Sequence, residues 1–381
     1  MTRFSLGIGA IGLISLTSFP IHAQATKNHA QEPVHLTARA AILVDARTGA
    51  ILYEKNAFLQ MDPASVTKMM TALLVIEHGH LNKVVTVSQR ADYTPGSSMH
   101  IAKGQQYTRL DLLKGLLLRS GNDASVALAE SDAGSVEKFV AQMNVKAQEI
   151  GAFNTAFENP NGLTKPGHYS SAYDLALIAR TALRKPLFQE IVKTPETQVT
   201  ELRHHSTRTI RNTNQLLYGF PGADGVKTGT TDAAGKCLVA SATRDGRQLI
   251  AVVLHSDNRW GDASRLLSYG FHNWQLLEAV PRGHVMAKAD IVGGRTSSVG
   301  LVPHQSIWVD VPVSGDSYQV YLAHRKHLKA PVTTRKPAGF VSVEVVGQPP
   351  AREPLYPSRS VKAQSVPKKF WSRLLDPHQP R

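Results

Sequence analysis

The chain has 381 residues, 42% of them hydrophobic and 19% charged, with a formal net charge of +14. These values exclude a collagen-like, coiled-coil or disordered chain, and the length asks for two domains with appendages rather than one core. Its single cysteine, Cys237, excludes an internal disulfide framework, and the basic balance points to anionic polymers or surfaces as partners.

In chain order, Arg3 precedes an apolar run from Phe4 to Leu16, and Ala23-Gln24-Ala25 offers a small-residue cleavage site. This is the pattern of a secretory signal peptide over residues 1–25, with an apolar core short of the about 20 residues that a membrane span needs. Export sets nucleic acid aside as a partner. Leu36 to Asn56 reads as a hairpin around Arg47-Thr48-Gly49. A helix carrying Ser65 and ending near Gly79 follows, then the short strand KVVTVS. Residues 108–130 read as helix on both sides of a polar break at Ser120-Gly121-Asn122. VEKFVAQMNVKAQEIG is an amphipathic helix stopped by Gly151, and Ser171 to Leu183 is a helix with Ser171 as cap and Asp174 completing a capping box.

From Thr207 the texture turns to strands: TRTIRNT, DGVKTGTT, KCLVASATR and RQLIAVVLHS, the last two joined by the hairpin turn Asp245-Gly246. A helix is expected from Gly261 to Glu278. The fold class that results is α/β (α+β), a helical block against a mainly antiparallel sheet. Residues 26–280 form this first domain. Residues 281–350 read as a small all-β domain of short alternating stretches, and residues 351–381 as a flexible basic tail.

Three short stretches carry candidate chemistry. Ser65 and Lys68 stand three residues apart on one helix, which puts a hydroxyl and an amine on one face. A lysine made neutral by burial or by a second cation can take the serine proton, and the helix N-terminus favours an oxyanion. Read alone, Ser65 serves equally as a helix cap and Lys68 as a solvated residue. Ser120-Gly121-Asn122 is either a stop and a cap between two buried helices or a proton shuttle and an amide holder. Lys227-Thr228-Gly229 opens a strand that can offer an ammonium and a hydroxyl to a carboxylate, with glycine permitting close backbone approach; it is otherwise a plain edge strand. In the order S-x-x-K, S-x-N, K-T-G, the three form the penicillin-recognising serine set, with Ser65 as nucleophile and Lys68 as its base.

With these motifs and with DARTGAILYEKNA, NPNGLTKPGHYSSAYDLALIA, RNTNQLL and DGVKTGTTDAAGKCLVASATRDGRQLIAVVL, the chain closely resembles the D-alanyl-D-alanine carboxypeptidases, the low-molecular-mass penicillin-binding proteins, over roughly residues 36–345. The resemblance implies a β-lactamase/transpeptidase-like domain followed by a small β domain. It implies a serine peptidase that removes the terminal D-alanine from peptidoglycan stem pentapeptides ending in D-Ala-D-Ala, with β-lactams as covalent inhibitors. It gives Ser65 the attack, Lys68 the general base, and Ser120 with Lys227 the relay of the proton to the leaving D-alanine. The backbone N–H groups of Ser65 and Thr230 would form the oxyanion hole. Asn122 would bind the donor peptide, and Thr228 and Arg259 the terminal carboxylate. Asp174, at the rim, is explained as well by capping.

No cofactor or metal is expected: the 16 histidines include no H-E-x-x-H, and Cys237 lies in an apolar strand as a core residue. A D,D-endopeptidase with the same machinery and a non-catalytic β-lactam or wall-binding sensor are the alternatives. In the tail, KKFWSRLL could place Phe370, Trp371, Leu374 and Leu375 on one face as a short anchor, between Pro367 and Pro377. The expected location is the periplasm or the outer face of the cytoplasmic membrane, and the tail offers peripheral membrane contact or merely charge attraction to an anionic surface.

Overall fold

The computed structural model describes residues 15–19, 34–315 and 318–365. The proposed cleavage site near Ala23 and Ala25 and the KKFWSRLL stretch lie outside the described residues. The chain divides into two compact units, one running from residue 29 to residue 275 and the other built chiefly from residue 276 onward. Among the described residues no helix is long and apolar enough to cross a membrane.

In the unit of residues 29–275, five strands form an antiparallel sheet in the order Ile51–Lys55, Ala40–Asp45, Arg247–Ser256, Gly235–Arg244, Ala223–Thr231. Side chains alternate along a strand, so an apolar run with no polar face must be buried on both sides. Ile42, Val44, Val239, Ile250, Val252 and Leu254 face the helical block. Ala41, Leu43, Leu238, Ala240, Leu249 and Val253 face the opposite way, against the helix Arg259–Asn273. Asp245 and Gly246 both have positive φ, which is the two-residue hairpin turn expected between the third and fourth strands. Among the described residues, Ala223–Thr231 is the last strand of the order, with no strand neighbour on one side.

The helical block surrounds the helix Lys68–His78, whose first eight residues, Lys68 to Val75, are all buried. A helix apolar all round belongs at the centre of a core, and this one packs against the helices Arg109–Leu118, Asn122–Ala133 and Ala172–Leu183. Ser171 caps the last of these by accepting from Asp174 N at 3.1 Å, worth about 1 kcal/mol. The Asp174 carboxylate accepts from Thr155 Oγ1 at 2.7 Å, a structural use that accounts for its burial.

Three expectations are corrected. The helix predicted from Gly261 to Glu278 is Arg259–Asn273, and Trp274–Val280 is a strand paired with Ile307–Pro312. Asn258 starts the helix early by accepting from Gly261 N, and an apolar stretch this short fits a strand as well as a helix. Its apolar residues serve separate cores: Trp274 packs with the sheet and Leu277 with the second unit. Next, the helix Pro186–Lys193 and the strand Glu196–Glu201 were not expected; the latter pairs with Ser206–Arg211. Last, the residues assigned to a tail from 351 begin with the strand Ala351–Pro357, which pairs with both Gly339–Val345 and Ser298–Pro303. Its prolines had suggested a loop, yet burial alternates along it and Leu355 is fully buried.

Among the described residues the second unit holds a seven-stranded sheet beside the strand Ile307–Pro312, with its own core around Leu301, Val311, Val341 and Leu355. Within the predicted signal segment, Ser15–Phe19 is an edge strand of that sheet, antiparallel to Tyr318–His324.

Candidate active site

Ser65 stands where a single 3-10 turn, Ala64–Thr67, runs into the helix Lys68–His78. It is not a cap: the residue before the turn is Pro63, with no side-chain cap bond. Ala64 is held at φ +50°, a left-handed conformation that costs an alanine energy and presents Ser65 at the front of the turn.

One turn on, Lys68 has no exposed surface. Its Nζ lies 2.8 Å from Ser65 Oγ and donates to Asn122 Oδ1 at 2.7 Å and to the Asn161 carbonyl at 2.6 Å. Burial, and next the positive charge of Lys227, hold its pKa well below the usual lysine value. A neutral amine has two hydrogens and one lone pair. Two carbonyl oxygens take the hydrogens, and the lone pair is left for the Ser65 hydroxyl.

Asn122 opens the helix Asn122–Ala133, and its other amide atom, Nδ2, donates to Pro95 O at 2.6 Å. Its neighbour Asp123 accepts from Met99 N, Ile101 N and Ser98 Oγ, which folds the 98–101 segment against the same helix start. Ser120 sits at the break before it with φ +61°. Its hydroxyl is buried and has no partner among the described residues, which leaves its proton uncommitted.

The Ala223–Thr231 strand brings the third motif. Lys227 is buried, and its Nζ donates to Thr228 O at 3.0 Å. Burial and then the Arg259 charge bring its pKa down to about 7. Thr228 Oγ1 shares a hydrogen with Thr213 Oγ1 at 2.8 Å. Gly229 is where this strand meets Ser65: a Cβ there would lie 3.0 Å from Ser65 N and 3.1 Å from Pro63 O. Glycine lets the two backbones come this close without displacing either. Thr230 Oγ1 accepts from Arg259 Nη1 at 2.8 Å, and the same Nη1 donates to Gly229 O at 2.9 Å. The guanidinium also stacks over Trp260, 4.8 Å from its centroid, so Arg259 is braced on the strand end.

The eight residues picked out in the sequence fall on the turn and helix that carry Ser65 and Lys68, the break at Ser120 and Asn122, the strand Ala223–Thr231 and the first residue of the helix Arg259–Asn273. Lys68 and Asn122 bond directly, and Lys227, Thr228 and Thr230 line the strand with Arg259 behind. Ser120 lies at the helix break. Sequence reasoning missed four contributors. The Asn161 carbonyl and Gly162 belong to a loop in which Asn159 Oδ1 accepts from Gly162 N at 2.7 Å and Asn161 Oδ1 from Leu163 N at 3.0 Å. Gly162, at φ +86°, abuts the turn Ala64–Thr67 so closely that a Cβ would come within 1.9 Å of Ala64 O. The Asn-Pro-Asn-Gly string was the available signal for such a turn. Thr213 and His168 carried no spacing that would single them out.

A family model described as D-alanyl-D-alanine carboxypeptidase matches residues 26–258. The D-alanyl-D-alanine carboxypeptidase DacF of Bacillus subtilis (strain 168) is 34% identical over 365 residues, covering 92% of this chain and 93% of its own. Penicillin-binding protein 5 from Haemophilus influenzae superposes with a TM-score of 0.75 at 31% identity, over 87% of this chain and 99% of its own. The Streptomyces K15 DD-transpeptidase superposes with a TM-score of 0.59 at 35% identity, over 62% of this chain and 98% of its own.

Proposed function

The chain belongs to the D-alanyl-D-alanine carboxypeptidase family of serine peptidases, and from that premise we propose how its own residues perform the reaction. It is a hydrolase that cleaves the D-Ala–D-Ala bond through a penicillin-sensitive serine, and Ser65 is that serine. The observation that carries the assignment is the Lys68 amine, fully buried and held by two carbonyl oxygens beside Ser65 Oγ.

Ser65 Oγ attacks the carbonyl carbon of the penultimate D-alanine as its proton passes to Lys68 Nζ. The oxyanion that forms is received by the backbone N–H groups of Ser65 and Thr230. Collapse breaks the C–N bond, and the departing amine takes a proton relayed through Ser120 and Lys227. The uncommitted hydroxyl of Ser120 and a Lys227 pKa of about 7 suit a group that gives and regains a proton near neutrality. The proton so relayed is the one Lys68 had taken, so Lys68 is neutral again when water attacks the ester; Lys68 takes the water proton, the Oγ–acyl bond breaks, the proton returns to Ser65 Oγ, and the shortened peptide leaves. A β-lactam follows the same first step: its amide C–N bond opens and its acyl group remains on Ser65.

Asn122 and the edge of the Ala223–Thr231 strand hold the donor peptide, and Thr228 and Arg259 neutralise its terminal carboxylate. The substrate is the peptidoglycan stem peptide, met outside the cytoplasm. The leader-like residues 1–25 support a location in the periplasm or on the outer face of the cytoplasmic membrane. The test is D-alanine release from diacetyl-Lys-D-Ala-D-Ala by the chain lacking residues 1–25, beside Ser65→Ala. Release and labelling by a fluorescent penicillin should both vanish in the variant. Labelling without release in the parent chain would instead favour a cross-link as the true donor, or a sensor. Labelling that survives Ser65→Ala would sink the assignment.

A further inference from the structure

The loop that gives the Asn161 carbonyl to Lys68 has a fastening that the reaction scheme does not use. Its neck is closed by backbone bonds between Ala156 and Tyr169. Just inside the neck, His168 is 3% exposed and bonded on both ring nitrogens. Nδ1 accepts the Glu158 N–H at 3.0 Å, and Nε2 lies 2.9 Å from Thr67 Oγ1. A backbone N–H can only donate, so Nδ1 is the bare nitrogen and Nε2–H donates to Thr67 Oγ1. Thr67 directly precedes Lys68. A second tie runs the other way, from Thr71 Oγ1 to Pro160 O at 2.6 Å. The Phe157 ring packs on the imidazole with centroids 5.8 Å apart. The charged groups acting on the ring, Glu158 and Lys165, pair with each other at 3.1 Å. Burial outweighs both and brings the His168 pKa to about 4, so this tautomer persists across the neutral range.

We propose that His168 is a positioning residue for the reaction, clasping the 156–169 loop to Thr67 so that the Asn161 carbonyl stays on the Lys68 amine. This rests on the reading of Lys68 as the base. The imidazole touches no substrate; it acts through the loop backbone. Without it the loop would keep the Thr71 bond to Pro160 O, but Thr67, the residue next to Lys68, would lose its hold on the loop and the Asn161 carbonyl would drift from the amine whose lone pair it orients on Ser65 Oγ.

The experiment is the second-order rate of acylation by a penicillin between about pH 5 and pH 10. It uses the full chain and the variants His168→Gln, His168→Leu, Thr67→Val and Lys68→Ala. A glutamine amide can donate to Thr67 Oγ1 and accept from Glu158 N, so His168→Gln should stay within about twofold of the parent rate. His168→Leu should lower the plateau about tenfold and move the acid limb to lower pH, because the ammonium form of Lys68 loses a hydrogen-bond acceptor. Thr67→Val should do part of the same, and the double variant should be no worse than His168→Leu, since both remove one bond. A His168→Leu profile with the parent limb and plateau would overturn the proposal, as would His168→Gln failing as badly as leucine. If His168→Leu does not fold, Thr67→Val, which keeps the volume, takes its place: a parent profile there is equally fatal. Lys68→Ala separates the two readings, because acylation that survives in it removes Lys68 as base.

Discussion

Burial disfavours charge on a lysine, and at Lys68, which has no exposed surface, it holds the pKa well below the usual lysine value. The cation at Lys227 adds to burial in keeping it so. Removing that cation in Lys227→Met should raise the Lys68 pKa, so the acid limb of penicillin acylation should move to higher pH; an unmoved limb would mean that burial alone sets it. His168 gives a second pH signature, this time in stability. Its folded pKa of about 4 lies below the ordinary histidine value of 6.5, so below pH 6.5 the unfolded chain binds a proton that the folded chain refuses. Stability is therefore unaffected above that value and falls as pH drops toward 4, by about 3 kcal/mol at most. Urea midpoints across that window should fall less steeply in His168→Gln than in the parent. Parallel curves would assign the acid loss elsewhere.

At the scale of elements, the site is an assembly of close backbone approaches, one that leaves no room for a Cβ and one that leaves it little. Gly162 meets Ala64 O and Gly229 meets Ser65 N. Gly162→Ala combines that clash with a strained positive φ, and a displacement of the nucleophile turn by a fraction of an ångström should lower acylation on the order of a hundredfold. Gly134 supplies the contrast: it too has positive φ, but nothing lies within 4 Å of its Cβ direction. Gly134→Ala should cost about 1 kcal/mol of stability and leave acylation alone, which separates strain from collision. Equal acylation in both variants would remove the collision argument. What the sequence made legible follows the same division. The Asp245-Gly246 turn, the Ser171 cap and the three motifs carry their geometry in a few adjacent residues. The strand Trp274–Val280 and the strand Ala351–Pro357 do not, because each owes its state to partners far along the chain, Ile307–Pro312 for one and Gly339–Val345 and Ser298–Pro303 for the other. The Asn161 carbonyl was invisible for a related reason: a main-chain oxygen has no residue type.

For the whole molecule, the catalytic unit has its own cores, and all eight proposed site residues lie between residues 29 and 275. A fragment of those residues should fold and react with a fluorescent penicillin at the rate of the full chain; a fragment that folds without reacting would give the second unit a part in the site. The last sixteen residues, 366–381, carry the proposed surface contact. Deleting them should shift the protein from the membrane fraction to the soluble one, and an unchanged distribution would dismiss the anchor.

The strand that carries Lys227 closes the sheet order, with no strand beside it on one side among the described residues. A main-chain ladder registers the direction and extension of a guest and is indifferent to most of its side chains. One such edge can therefore admit stem peptides that differ at the residue before D-Ala-D-Ala, and selection is left to the guest's terminus. The chain would then behave as a gauge of where a peptide ends rather than a reader of what it contains.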